Sequence, residues 1–262
     1  MGQFFADIHA APASQLGILP HGLEDTPDVA EKRGAQSYDE LLALAKALCW
    51  QLRYKEAVDV YTKAVEQQPE DPTAIRQRAA RYITTLQPEA AIGDFLRCRE
   101  LGGDPMDIGY RLGICYYLHG NYQQAMVELE ACYPLCDEEM GIATIYWHTL
   151  SAWKCGKQPL LLNQEYRKGM NVGHHTAYEF AMQIASGHLK LTEGMLRLSE
   201  EKDDLEYSIK AYGIHVCLIQ HDEPELAQMI LDAVIRRDRF WISYAYIAAW
   251  NDVYGRKQDV LA

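Results

Sequence analysis

Four alanines fix the architecture open to this chain. Ala57, Ala91 and Ala125 are spaced by 34 residues, and Ala227 lies 102 further on, three times that period. A fixed period of this length marks a repeat protein of stacked helix pairs, each burying its apolar face on the next. Such an array grows by adding units and not by thickening a core, so 262 residues need not be divided among several globular cores.

The start and stop signals follow the same period. Ser37-Tyr38-Asp39-Glu40 reads as a capping box, in which Ser37 and Glu40 satisfy orphan amides at a helix start. Asp71-Pro72 and Asp104-Pro105 repeat a second start signal, an aspartate cap followed by proline at the first helical position. Gly120-Asn121 and Gly156-Lys157 mark turns inside the third and fourth pairs. These signals predict helix pairs over 38–68, 72–102, 106–136, 140–171, 174–203 and 206–238, then a single helix from about 240 to 255.

Residues 1–37 lack the repeat and read as an N-terminal extension, partly irregular. Within it, Thr26, Pro27 and Gly34 predict a short helix from Pro27 to Arg33. Its apolar residues (Phe4, Phe5, Ile8, Leu16, Ile18, Leu19) point to docking, the array itself being one acceptor. Residues 38–262 form the repeat domain, clearest over 38–137 and 208–238 and degenerate over 140–203.

Two antiparallel helices approach closely only where small residues meet at the crossing, with large apolar ones beside it. Counted from residues 38, 72, 106 and 208, the eighth position holds Ala45, Ala79, Gly113 and His215. The eleventh holds Leu48, Tyr82, Tyr116 and Leu218, and the twentieth the alanine series. The twenty-fourth holds Tyr61, Phe95, Leu129 and Leu231, and the twenty-seventh Ala64, Cys98, Cys132 and Val234. Leu112-Gly113-Ile114-Cys115-Tyr116 followed by Ala125-Met126-Val127-Glu128-Leu129 is the best instance, and Ala57, Tyr61, Ala64 and Pro69 supply another. On these residues the chain resembles the tetratricopeptide repeat family. The resemblance implies an all-α fold, a right-handed α-α superhelix: a TPR-like solenoid of about six helix pairs plus a terminal helix. Arg78 and His215 depart from the pattern, and Pro159 and Glu193 stand where alanine is expected.

The resemblance also implies a concave face built from the first helix of each pair. The fifth, ninth, twelfth and thirteenth positions then supply Leu42, Lys46, Cys49 and Trp50 in the first unit, and Arg76, Ala80, Ile83 and Thr84 in the second. The third supplies Tyr110, Ile114, Tyr117 and Leu118, and the sixth Tyr212, Val216, Ile219 and Gln220. The last helix adds Tyr246, Trp250, Val253 and Tyr254. Lys46, Trp50, Arg76, Tyr110, Ile114, Tyr117, Tyr212, Tyr246 and Trp250 are the expected partner-binding residues. Aromatic side chains offer contact area at low rotamer cost, which suits peptide capture. An aromatic stripe at helical spacing also serves as core, and both readings stay open at this point. Some family members grip a chaperone's C-terminal carboxylate with Lys, Asn and Arg. Here the Asn partners are missing, and Asp107 would repel the ligand.

Composition narrows the function class. Lys and Arg total 25 against 37 Asp and Glu, a net of −12, which argues against binding a nucleic-acid backbone and leaves room for a basic partner. No apolar run reaches the roughly 18 residues that cross a bilayer, and Met1 to Ala10 lacks a signal-peptide pattern. Met1-Gly2 opens like a myristoylation signal, but Ala6 stands where that motif wants Ser or Thr. Seven cysteines, an odd number scattered through helices, read as free thiols in a reducing cytoplasm. Cys132 and Cys136, joined by His148 or Cys155, would make a zinc site; the competing reading is packing, and no cofactor or metal is expected. His174-His175 reads as a helix start with divergent rings, and the acidic run Ser199–Asp204 as a solvated connection. No nucleophile elbow, phosphate loop, dinucleotide fingerprint or HExxH motif occurs, so no enzyme is expected. The expected function is a non-enzymatic cytoplasmic adaptor or scaffold that binds a peptide or partner protein. The alternatives are a peptide- or metabolite-responsive sensor and a dedicated secretion or assembly chaperone.

Overall fold

In a computed structural model of the chain, residues 24–255 are described, and they are all-α with no strand. The docking expectation for Phe4, Phe5, Ile8, Leu16, Ile18 and Leu19 falls outside the described residues. The helices are α1 (Pro27–Lys32), α2 (Tyr38–Trp50), α3 (Tyr54–Gln67), α4 (Pro72–Thr84), α5 (Pro88–Glu100), α6 (Pro105–His119) and α7 (Tyr122–Cys132). They continue as α8 (Glu138–Lys154), α9 (Leu160–Gln164), α10 (Thr176–Ala185), α11 (Leu191–Ser199), α12 (Asp204–Gln220), α13 (Pro224–Arg236) and α14 (Tyr244–Tyr254). The chain divides into two compact units, Met1–Arg111 and Leu112–Ala262, with the boundary inside α6.

The helix starts are where the caps place them. Ser37 N donates to Glu40 Oε2 at 2.9 Å, and Glu40 N returns a bond to Ser37 Oγ at 3.5 Å. Thr73 N donates to Asp71 Oδ1 at 2.8 Å, and Asp107 N to Asp104 Oδ1 at 2.7 Å. The turns inside the pairs are equally regular. Leu52, Leu86 and Gly120 adopt φ of 58°, 53° and 87°, one period apart, and Asp222 follows at 59°. The next amide then reaches back five residues, Arg53 N to Leu48 O, Gln87 N to Tyr82 O, Asn121 N to Tyr116 O and Glu223 N to Leu218 O. This is a left-handed helix stop that satisfies an orphan carbonyl, and three of the four residues holding it are not glycine. A non-glycine residue there costs roughly 1–2 kcal/mol, so the closure is held by the packing of the pair.

In the first unit α1 lies on the first pair. Val29 joins the buried cluster of Leu41, Leu44 and Leu48 from α2 with Val60 and Tyr61 from α3. Polar contacts pin the same helix: Asp25 accepts from Arg33 Nε at 2.6 Å and from Arg53 Nη1 at 2.6 Å. Those two guanidinium groups hold its carboxyl well below the ordinary range, Arg33 contributing most.

The alanine series sits at the hairpin crossings. Ala57, Ala91, Ala125 and Ala227 are all fully buried. In the third pair a Cβ on Gly113 would lie 2.5 Å from Leu129 Cγ, so α6 has no spare volume against α7 there. Arg78 and His215 each depart from the pattern for a physical reason. Arg78, half-buried, makes a bidentate pair with Asp94 of α5 at 2.7 and 2.8 Å. His215 faces the alanine across the crossing of the last pair, its Nδ1 2.9 Å from the Ala227 carbonyl oxygen. A carbonyl only accepts, so Nδ1 carries the hydrogen.

The second unit contains the degenerate pairs. The fourth does not extend to residue 171 as expected: its second helix, α9, stops at Gln164. The following segment is tied to the start of α8 instead. Asn171 N donates to Glu138 Oε2 at 2.8 Å, and His174 N to Glu139 Oε1 at 2.9 Å. His175 turns Nδ1 to the Glu139 carbonyl oxygen at 2.6 Å. In the fifth pair the small residue is Gly194, one place after Glu193; a Cβ there would meet Ile184 Cδ1 at 2.4 Å. The connection Ser199–Asp204 is anchored as well as solvated. Arg237 Nε donates to Asp204 Oδ1 at 2.8 Å and Nη1 to the Glu201 carbonyl at 2.8 Å, with its guanidinium 3.9 Å above the Tyr207 ring.

Two predictions follow from this packing. Ala125→Leu should overpack the third pair and cost roughly 1–3 kcal/mol, read as a lowered midpoint in denaturant unfolding. The second concerns pH. Burial pushes the His215 and His148 imidazoles below their ordinary value of 6.5, against the opposing pull of Ala227 O and Glu130 respectively. As pH falls past 6.5 the unfolded chain takes up protons that these native rings refuse, so stability should decline until the depressed native values are passed. His148→Gln/His215→Gln should flatten that slope in unfolding measured between pH 7 and 5, whatever its effect on absolute stability.

Candidate partner-binding surfaces

In the first unit the expected face is open on α2. Lys46 is exposed, and Trp50, one turn later on the same side, is 59% exposed. Leu42 and Cys49 flank them, half-buried. A large aromatic beside a mobile cation, on a helix anchored from behind by Leu41, Leu44 and Leu48, is a rigid platform with a polar handle.

The face closes along α4. Ala80, Ile83 and Thr84 are buried, and Arg76 is committed to its neighbour in the next repeat. Arg76 Nε and Nη2 lie 2.7 and 2.8 Å from the two oxygens of Asp107, which also accepts from Arg111 Nε at 2.9 Å. Burial would raise the Asp107 carboxyl, but the two arginines hold it below its ordinary value. Two guanidinium groups share one carboxylate here, so Arg76 is an internal strut between repeats. Tyr110, on the adjoining part of α6, is buried at 9% exposure.

In the second unit the expected anchors are inside. Ile114, Tyr117, Tyr212 and Tyr246 are buried, and Trp250 is half-buried against Tyr254. Ile114, Tyr117, Tyr212 and Tyr246 thus pack inside the second unit, and α14 adds polar contacts to it. Asn251 Nδ2 donates to the Leu118 carbonyl at 2.8 Å, and Asp252 Oδ2 accepts from the Tyr212 hydroxyl at 2.8 Å. The same carboxylate oxygen meets Lys154 Nζ at 2.6 Å. The Tyr212 hydroxyl lies 2.7 Å from that of Tyr117, whose ring packs edge-on against Trp147. Burial, with Asp252 adding, pushes both phenols far above their ordinary value, so they stay protonated and act as relays in a closed polar chain.

Among the described residues, no three His, Cys, Asp or Glu side chains gather as a metal site. No described helix is long and apolar enough to cross a membrane.

The profile of the tetratricopeptide repeat family matches residues 107–134, which hold most of the α6–α7 hairpin. The α6–α7 hairpin is thus a tetratricopeptide repeat. It is similar to the tetratricopeptide repeat protein 36 of Caenorhabditis elegans, with 34% identity over 92 residues. That match takes in 35% of this chain and 50% of the relative, so the chain spans about half the length of the curated relative it matches. Tetratricopeptide repeats serve protein–protein interaction, generally without catalytic activity of their own.

The closed chain on α14 is testable. Asp252→Ala would leave Lys154 and the Tyr212 hydroxyl, both largely buried, without their carboxylate. The expected cost is about 2–3 kcal/mol in equilibrium unfolding. Adding Lys154→Met should recover part of it, since an apolar side chain there asks for no partner.

Proposed function

We propose that this tetratricopeptide repeat chain is a non-enzymatic adaptor or scaffold of the cytoplasm, and that it holds a peptide or partner protein on the α2 face of its first unit. The observation that supports this reading is Trp50: a 59%-exposed indole on a buried-backed helix, one turn from the exposed Lys46. An isolated exposed leucine needs no explanation, but tryptophan is the residue most enriched where partners bind. Lys46 supplies a cation beside it on a chain whose net charge is −12. The matching ligand carries an apolar side chain for Trp50 and a carboxylate for Lys46.

Arg76 fixes the register of the next repeat through Asp107. Tyr110, Ile114, Tyr117, Tyr212 and Tyr246 shape their units from inside, and Trp250 belongs to the helix that covers the second unit's face. Variants of the buried tyrosines would disturb packing before they reported on binding. Trp50→Ala and Lys46→Glu change exposed side chains and are the cleaner probes.

The experiment is affinity capture from native extract with wild type, Trp50→Ala and Lys46→Glu side by side, followed by measured affinity for whatever the wild type holds. Trp50→Ala should weaken that affinity by about 2 kcal/mol, roughly thirtyfold, with little change in the unfolding midpoint. Equal affinity for all three would remove this face from the function.

A further inference from the structure

Cys132 and Cys136 are four residues apart. A regular helix would hold their Cβ atoms about 5–6 Å apart, beyond the ~3.8 Å that a disulfide takes. The chain leaves the helix at this point. α7 ends at Cys132, Tyr133–Leu135 form a 3-10 turn, and Cys136 N bonds back to the Tyr133 carbonyl at 3.0 Å with Cys136 extended. The two sulfurs come to 3.7 Å. Cys136 Sγ also lies 3.5 Å from the Cys132 carbonyl oxygen and 3.5 Å from Thr144 Oγ1 on α8.

Exposure divides the pair: Cys132 is buried, while Cys136 is half-buried. The residues expected to complete a zinc site are engaged elsewhere. His148 Nε2 faces Glu130 Oε1 at 2.9 Å, and Cys155 Sγ lies 3.3 Å from the Ser151 carbonyl.

We propose that Cys132 and Cys136 form a reactive dithiol that a hydroperoxide converts to an intramolecular disulfide. The Cys136 thiolate attacks one oxygen of the peroxide. The O–O bond breaks, the departing oxygen takes a proton and leaves as water or alcohol, and Cys136 becomes a sulfenic acid. The Cys132 sulfur then attacks the Cys136 sulfur. The S–O bond breaks, and hydroxide leaves with the Cys132 proton as water. Two thiols and one hydroperoxide thus give one disulfide, one water and one alcohol, or a second water where the oxidant is hydrogen peroxide.

The surroundings favour Cys136 as the attacking sulfur. Its hydrogen bond with Cys132 brings the thiol down to about 7, with Thr144 assisting and burial and Asp137 opposing. Burial drives other thiols the other way: Cys98 and Cys217 are each pushed up to about 11, and Cys49 is raised.

The test uses the full reduced chain, hydrogen peroxide, an alkylating quench and peptide mapping. The peptide carrying both residues should lose two hydrogens, resist alkylation at both, and recover on reduction. In the reduced chain at pH 7, Cys136 should react with iodoacetamide ahead of the exposed Cys155. Cys136→Ser should abolish the product, and Cys132→Ser should leave a sulfenic acid on Cys136 that dimedone traps. Oxygen added to the peptide in place of hydrogen loss, Cys155 reacting first, or the same product from Cys136→Ser would each overturn the proposal. The wild-type mapping and alkylation order decide the matter even if Cys132→Ser, which alters a buried site, does not fold.

Discussion

Every hairpin of this chain depends on how closely two helices can cross. Where Ala57, Ala91, Ala125 and Ala227 stand, no part of the side chain reaches solvent, and in the third pair a Cβ on Gly113 would collide with Leu129. Close crossing brings the large residues beside it into contact. It also lets a pair close through a left-handed residue even when that residue is Leu52, Leu86 or Asp222. The last pair meets the same constraint differently. With the backbones this near, an imidazole at the opposing position reaches the Ala227 carbonyl, and the crossing is held by a hydrogen bond through His215 in place of a methyl contact.

Close packing buries polar groups, and these require partners. In α8, residues Gly141–Ala152 are all buried, among them Thr144, Trp147, His148 and Ser151. α12 is buried almost as completely. Two such helices cannot present an amphipathic pattern, because they are covered on more than one side. Several of their hydroxyls turn to the preceding turn of their own helix, as Ser151 does to the Trp147 carbonyl, or reach another element, as Tyr146 does to the Ile209 carbonyl, while the buried Thr149 hydroxyl has no hydrogen-bond partner. Tyr117 and Tyr212 have no such carbonyl and depend on Asp252 from α14. α14 is thus a polar closure as much as an apolar lid.

The sequence made the helix starts legible because caps are local: Ser37, Asp71 and Asp104 act on amides within three residues of themselves. The crossings were legible because their period is fixed. What lay beyond reach was set by distant parts of the chain. Gly194 performs the small-residue role one place off the alanine register, and a count by period falls on Glu193. α9 ends at Gln164, and Glu138 and Glu139, more than thirty residues before Asn171 and His174, hold the backbone amides of those two residues. Arg237 anchors Asp204 and the carbonyls before it, although acidic composition alone reads as a solvated loop. Periodicity reports which face of a helix is apolar, not what lies on that face.

Trp50 and Trp250 show the consequence for recognition. The family resemblance puts both on a partner-facing stripe, and both carry the same ring. In α2 the indole remains more than half in water. In α14 the stripe is itself the covering element: Tyr246 is fully buried and bonds to the Ile235 carbonyl, Asn251 and Asp252 bind inward, and Trp250 packs on Tyr254. A tyrosine or tryptophan on a repeat face therefore has two fates, chosen by whether the chain supplies its own cover. Where it does, the aromatic contributes to the stability of its unit, and replacing it tests folding. Where the ring stays in water, its apolar area is accessible to another molecule, and replacing it tests binding.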